Sequence, residues 1–222
     1  MEQLARNNLS DQLAQILGNQ IIRNELKSGD MIYETKISKE WGVSRSPVRD
    51  ALHMLEQNRL LERTASGSYK VTELSENYIL NFYDTVTIIY QYVFAKAAEH
   101  ATKTEIQALK KALDKIEKSL ETKDYEIYLE GFTDYGRMIL AAARNPIVEK
   151  IAMELMPSAQ RIQYSTLTIF PDYFETMVDL IRDSYQHIVD RNPSAAARDF
   201  SDFADALKKI HLENLTAQQR IG

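Results

Sequence analysis

The chain has 222 residues, 44% of them hydrophobic and 27% charged, with a formal net charge of −5. Such a composition belongs to a folded protein and excludes a disordered or collagen-like one. The absence of cysteine excludes disulfides and thiolate metal sites. No apolar run approaches the ~20 residues that cross a bilayer. Met1–Ser10 is polar and lacks the apolar stretch of a signal peptide, so the expected location is cytoplasmic, with no membrane partner. The charge is unevenly distributed. Residues 1–72 hold ten Lys/Arg against nine Asp/Glu, a balance of +1, whereas the remainder holds seventeen against twenty-three, a balance of −6. The contrast is modest but of the sign expected if only the first part meets phosphates.

In chain order, the first element is a helix. Leu13, Ile16, Leu17, Ile21, Ile22 and Leu26 recur at helical spacing, Ser10 is its expected cap, and Gly29 lies past its end. Met31-Ile32-Tyr33 reads as a short β run. A second helix is expected over Thr35–Trp41, with Ile37 and Trp41 inward and Gly42 in the left-handed conformation that ends it. Ser44 then caps a third helix that tolerates Pro47 in its first turn and buries Val48, Leu52 and Leu55. Ser44, Arg45, Ser46 and Arg49 fall at its exposed start. Two short helices joined at a glycine, the second with a polar head, make a helix-turn-helix. Such a second helix enters the major groove, where an arginine fork can donate two bonds to guanine O6 and N7. Leu60–Arg63 and Ser68–Val71 read as strands joined by Thr64-Ala65-Ser66-Gly67, a hairpin wing. Gly67 permits close backbone approach to DNA, and Arg63 is placed for phosphate or a minor groove. Lys36, Lys39 and His53 read as ordinary surface residues.

Trp41-Gly-Val-Ser-Arg-Ser-Pro-Val-Arg-Asp-Ala-Leu52, with Gly29 before it and the wing after it, resembles the GntR family of bacterial regulators. The resemblance covers roughly 65 residues. It implies that Arg45 and Arg49 read bases, that Ser44 and Ser46 hold phosphate, and that Gly67 enters the minor groove. Two positions depart from the family pattern. Arg59 stands where a turn glycine is usual, so Asn58 is expected to supply the left-handed residue. Thr35 stands where an arginine is common.

Beyond Glu73-Leu74-Ser75-Glu76, a linker in which Ser75 can cap, the pattern is helical to the end. Helices are expected at about 75–101, 103–121, 123–143, 146–169, 171–191 and 193–216, broken at Thr102-Lys103-Thr104, Thr122-Lys123-Asp124, Arg144-Asn145-Pro146, Phe170-Pro171 and Asn192-Pro193. The fold class is therefore mainly α: a winged helix-turn-helix over 1–72 and an antiparallel helical bundle over 73–222.

The bundle resembles the FCD effector domain of the FadR-like branch, best around Asn145-Pro146 and Asn192-Pro193. That resemblance implies a central cavity, often with a divalent metal held by one Asp and three His, which in turn binds a carboxylate effector. A homodimer through this bundle is expected because each recognition helix reads one half-site and a two-fold protein matches a palindrome. Here the metal-ligand positions fall on Phe132, Gly136, Arg182 and Ala204. The usual effector arginine falls near Val86 and an acid near Tyr90. No metal and no cofactor are expected. Of His53, His100, His187 and His211, none has a second His one turn away; Asp134 and His187 are left as lone candidate ligands. Val86, Tyr90, Phe132, Tyr135 and Arg182 are the candidate effector contacts, with Arg182 as the polar one. An acyl-type ligand and an acid paired with arginine both fit; so does ordinary core packing.

An enzyme is not expected: no nucleophile motif, phosphate-binding glycine loop or paired-His motif occurs. The expected function is sequence-specific binding of a palindromic double-stranded operator, modulated by a small molecule. The alternative, a DNA-binding architectural protein without an effector, would need a basic surface.

Overall fold

The structure is a computed structural model that describes the backbone of residues 2–219 and the side chains of residues 9–211. The chain forms two compact units. One runs through Leu74 and takes in Glu154–Ser165; the other is Ser75–Met153 with the chain from Thr166 onward.

In the first unit, α1 (Glu2–Ile22) is followed by β1 (Met31–Ile32), α2 (Glu34–Trp41), α3 (Arg45–Gln57), β2 (Leu61–Arg63) and β3 (Tyr69–Val71). Leu13, Leu17 and Ile21 of α1 are buried, as are Val48, Ala51, Leu52 and Leu55 of α3. These faces pack α1 on α3, and α2 closes the core with Ile37. Trp41, expected inward, is half-buried.

The start and end of α1 both differ from the expectation. Ser10 is not its cap but lies inside the helix and is buried. Residues 2–9 contain no Gly or Pro to stop the helix from extending back to Glu2. The helix ends at Ile22 rather than near Leu26, because Asn24 adopts φ 59°. The Asn24 amide then reaches the Ile21 carbonyl and the Glu25 amide the Gln20 carbonyl, which is the Schellman arrangement.

The end of α3 overturns a second expectation. Asn58 has φ −77° and is not left-handed; Arg59 is, at φ 61°. The reason is geometric. The Arg59 amide donates to the Glu56 carbonyl and the Leu60 amide to the Leu55 carbonyl, so the left-handed residue must be the one directly before Leu60. Leu60 is buried, and that fixes the register. Arginine therefore bears the Cβ strain that a glycine would escape.

The three strands are antiparallel in the order β1-β3-β2. Leu61 faces Val71 and Arg63 faces Tyr69 in register. The wing turn is closed by the Thr64 amide to the Ser68 carbonyl and by the Gly67 amide to the Thr64 carbonyl. Gly67 has φ 84° and open space around it. Glu154–Ser165 completes this unit: Arg161, 3% exposed, donates to the Thr72 carbonyl at 2.7 Å and to Ser28 Oγ at 3.0 Å.

The second unit is helical: α4 (Glu76–His100), α5 (Lys103–Thr122), α6 (Tyr125–Ala142), α7 (Pro146–Ile169, whose middle turns belong to the first unit), α8 (Phe174–Val189) and α9 (Pro193–Gln219). The expected breaks are the actual ones, and side chains mark them. Ser75 caps α4, Thr102 and Glu105 form a capping box on α5, Asp124 caps α6 and Asn145 caps α7. One boundary shifts. Pro171–Tyr173 is a 3-10 turn, so α8 begins at Phe174. Gly131 lets α6 lie close on α5, since a Cβ there would come within 2.7 Å of Ile116 Cγ1. Around α4 pack α6, α8 and α9. No described helix is long and apolar enough to cross a membrane.

Candidate functional site

The head of α3 carries the polar residues expected there. Ser44 occupies the N-cap position with extended backbone, yet its hydroxyl makes no capping bond to the helix. The side chain is thus not spent on the helix end. Arg45 and Arg49, one turn apart, share a face, and their side chains are 61% and 63% exposed. Ser46 and, in the wing, Arg63 and Gly67 are also exposed.

The sequence reading missed Glu34. It begins α2, and its carboxylate, 19% exposed, takes both arginines. Arg45 Nε donates to Oε1 at 2.9 Å; Arg49 donates through Nε to Oε2 at 3.2 Å and through Nη2 to Oε1 at 3.1 Å. The hydrogen bond from Arg49 is the largest influence holding Glu34 below the ordinary carboxylate range, and Arg45 adds to it. The same contact raises Arg49. Glu34 grips Arg45 by Nε, so the two terminal nitrogens that form a guanine-reading fork are not spent on it. Eleven and fifteen residues separate Glu34 from its partners. Only the tight turn at Gly42, φ 66°, brings the start of α2 beside the start of α3. A lone glutamate before a weak helix pattern gave no signal of this.

In the second unit the candidate effector residues divide. Val86 is buried on α4, and Tyr135 is buried on α6, where its hydroxyl meets Ser184 Oγ at 3.0 Å. Tyr90 stacks on Phe200 with ring centroids 4.8 Å apart, and Phe132 stacks on Tyr128 at 6.0 Å. Burial raises the Tyr90, Tyr128 and Tyr135 hydroxyls far above the usual phenol range. Arg182 does not join this group. It is exposed on α8 and committed to Glu117 Oε1 at 2.7 Å and to Asp179.

The ligand set of a family metal does not fit here. Phenyl at Phe132, hydrogen at Gly136, guanidinium at Arg182 and methyl at Ala204 supply no metal donor. Asp134 pairs with Lys115, and His187 Nδ1 lies 2.6 Å from Asp199. Among the described residues no group of three or more His, Cys, Asp or Glu could hold an ion.

Comparison with known proteins joins the two units. Residues 9–71 match the bacterial regulatory proteins of the gntR family, and residues 82–202 match the FCD domain. The chain belongs to the GntR family, with an FCD domain. Among its relatives is the uncharacterized HTH-type transcriptional regulator YdhC of Bacillus subtilis, 31% identical over 50% of this chain and 50% of that one. The gluconate operon transcriptional repressor of Bacillus subtilis is 26% identical over 62% of this chain and 56% of its own. The chain thus spans about half the length of these two relatives. The HTH-type transcriptional repressor RspR of Escherichia coli is 22% identical over 93% and 92%. Among solved structures, E. coli McbR/YncC has a TM-score of 0.76 at 16% identity, covering 95% of this chain and 98% of that one. Lar of Listeria monocytogenes has a TM-score of 0.63 at 18% identity, covering 92% and 96%. These likenesses show the fold: an N-terminal winged helix-turn-helix and a C-terminal helical domain.

Proposed function

We propose that this GntR-family chain binds a palindromic operator as a cytoplasmic homodimer, reads its bases through Arg45 and Arg49, and answers a small molecule held in the bundle. The reading is carried by the two exposed arginines set side by side at the head of α3. In this role Ser44, Ser46 and Arg63 meet phosphates, and Gly67 approaches a minor groove with no side chain to obstruct it. Glu34 is a positioning residue. It holds the two guanidinium groups before DNA arrives, so less side-chain entropy is lost on binding. Its negative charge also penalises loose attachment to phosphates, which favours the specific complex over the non-specific one.

Dimerisation is supported by an exposed apolar face on the second unit. Ile88 and Tyr92 lie one turn apart on α4, and Ile147 and Ile151 one turn apart on α7. The Tyr92 hydroxyl accepts from Asn145 Nδ2 at 3.1 Å, which brings the two pairs together. Ile88 and Ile147 are 75% and 72% exposed. A clustered apolar face of this kind is costly in water and suits a two-fold contact between copies. The test is a gel shift on the chain's own upstream region with competitor DNA. A regulator gives a discrete, salt-sensitive complex that resists competitor, and non-specific coating of every fragment refutes the reading.

A further inference from the structure

We propose that the interior of the second unit binds an uncharged, carbonyl-bearing small molecule through the hydroxyls of Tyr83 and Thr87. The proposal rests on the reading that this bundle holds an effector, and it names the effector's chemical class.

Tyr83 and Thr87 are one turn apart on α4 and therefore share a face, on the helix that α6, α8 and α9 surround. Tyr83 is 2% exposed. The hydroxyl oxygens of both residues are shielded from solvent and have no protein partner. Buried hydroxyls are rarely left so, because losing water without gaining a hydrogen bond costs free energy. Elsewhere in the unit buried hydroxyls are satisfied: Tyr135 by Ser184, Ser119 by the Ile116 carbonyl, and Thr166 by His211. Two orphans one turn apart on one helix, the second on a half-buried residue, are groups that the polar part of a ligand would satisfy. Both can donate, and a carbonyl oxygen has two lone pairs to accept them.

The surroundings suit an apolar body. The Phe82 and Tyr83 rings meet edge to face, Tyr128 lies near enough to Tyr83 to perturb it, and Tyr128 is itself packed by Phe132 and Phe174. Charge decides between neutral and acidic ligands. No described Lys or Arg of this unit is buried. The half-buried lysines Lys96, Lys110, Lys115 and Lys208 all pair with acids, and so does Arg182. Burial holds His211 neutral down to about 4, and His187 is bound to Asp199. A carboxylate placed among these rings would lose its water and gain no cation, which is prohibitive. An amide, ketone or lactone carries no such cost.

The test uses the full chain and a matched pair of probes, hexanamide and hexanoate, with Tyr83→Phe, Thr87→Val and the double variant. Hexanamide should raise the melting temperature of the unsubstituted protein, and hexanoate at equal concentration should not. The double variant should bind hexanamide about tenfold more weakly or worse. Without probe, each variant should melt at or above the parent temperature, because an unbonded buried hydroxyl has been removed. Equal protection by hexanoate, no response to hexanamide, or variants that melt well below the parent would each overturn the proposal. Operator binding without probe is measured alongside. If it persists while the probes respond wrongly, only the ligand class is rejected; if it is missing, the regulatory reading falls as well.

Discussion

The α3 head and the bundle interior treat polar groups in opposite ways. At the α3 head, two exposed arginines share one carboxylate whose pKa they lower. In the bundle, the unpartnered buried side-chain groups on α4 are the uncharged hydroxyls of Tyr83 and Thr87, and burial drives the Tyr83 and Tyr128 phenols upward. A surface that meets a polyanion needs fixed positive charge held in place. An interior that meets a small molecule can afford only groups whose desolvation is modest. In the proposed reading, sequence-specific DNA recognition and ligand choice therefore rest on different physics.

The largest effect is expected at the apolar face of the second unit. Ile88→Glu combined with Ile147→Glu places charge on each of the two exposed pairs and should convert the proposed dimer to a monomer by light scattering. Losing the second reading head should lower operator affinity by roughly 10²–10⁴-fold. A dimer that survives both substitutions would move the interface elsewhere.

Acid should act on the bundle next. Burial depresses His211 to about 4, and its Nε2 lies 2.7 Å from Thr166 Oγ1. The unfolded chain takes up a proton near the ordinary pKa while the folded one resists. Stability from this group is therefore complete above about 6.5 and is lost as pH falls toward about 4, by on the order of 3 kcal/mol. Melting followed across that window should show the loss, and His211→Gln should flatten it. An unchanged pH profile in the variant would assign the sensitivity to another group.

Arg45→Ala and Arg49→Ala should each cost about 1–3 kcal/mol of specific binding and leave circular dichroism unchanged. Glu34→Gln sharpens the contrast. It should leave non-specific binding equal or tighter, because a negative charge is gone, and lower the ratio of specific to non-specific affinity by about tenfold. The lowered pKa of Glu34 means that the clamp is complete above the ordinary carboxylate range and weakens only as pH falls below it. If the specificity ratio is unchanged in the variant, Glu34 is a surface ion pair and nothing more.

The two regions also differed in how much of them could be read from sequence. Ser44, Arg45, Ser46 and Arg49 are near neighbours on one helix, so spacing alone assembled the α3 head, and Gly42 and Gly67 marked its turns. Glu34 escaped because its partners are eleven and fifteen residues away. The helices of the bundle were legible because Thr102-Lys103-Thr104, Asn145-Pro146 and Asn192-Pro193 punctuate them. Its interior was not. Helical periodicity says which residues face inward but not which inward hydroxyls find partners. Arg182 looked suited to a ligand, yet Glu117, on another helix, holds it at the surface. Asn24 ended α1 well before Gly29, and Arg59 rather than Asn58 took the left-handed position after α3, because hydrogen-bond closure rather than residue type fixed it. Arg59→Gly gives the smallest predicted effect. Relief of the left-handed strain, offset by the entropy of glycine, should stabilise the first unit by up to ~1 kcal/mol. Destabilisation would mean that the Arg59 side chain contributes contacts that outweigh the strain.

The most direct measurement is a footprint of the full chain on its own upstream region, run beside Arg49→Ala. Two protected half-sites about 10–10.5 base pairs apart or a multiple of that, present for the parent and lost in the variant at equal concentration, are the predicted result. Uniform protection that ignores sequence, or half-sites that persist unchanged in Arg49→Ala, would contradict the assignment of base reading to the head of α3.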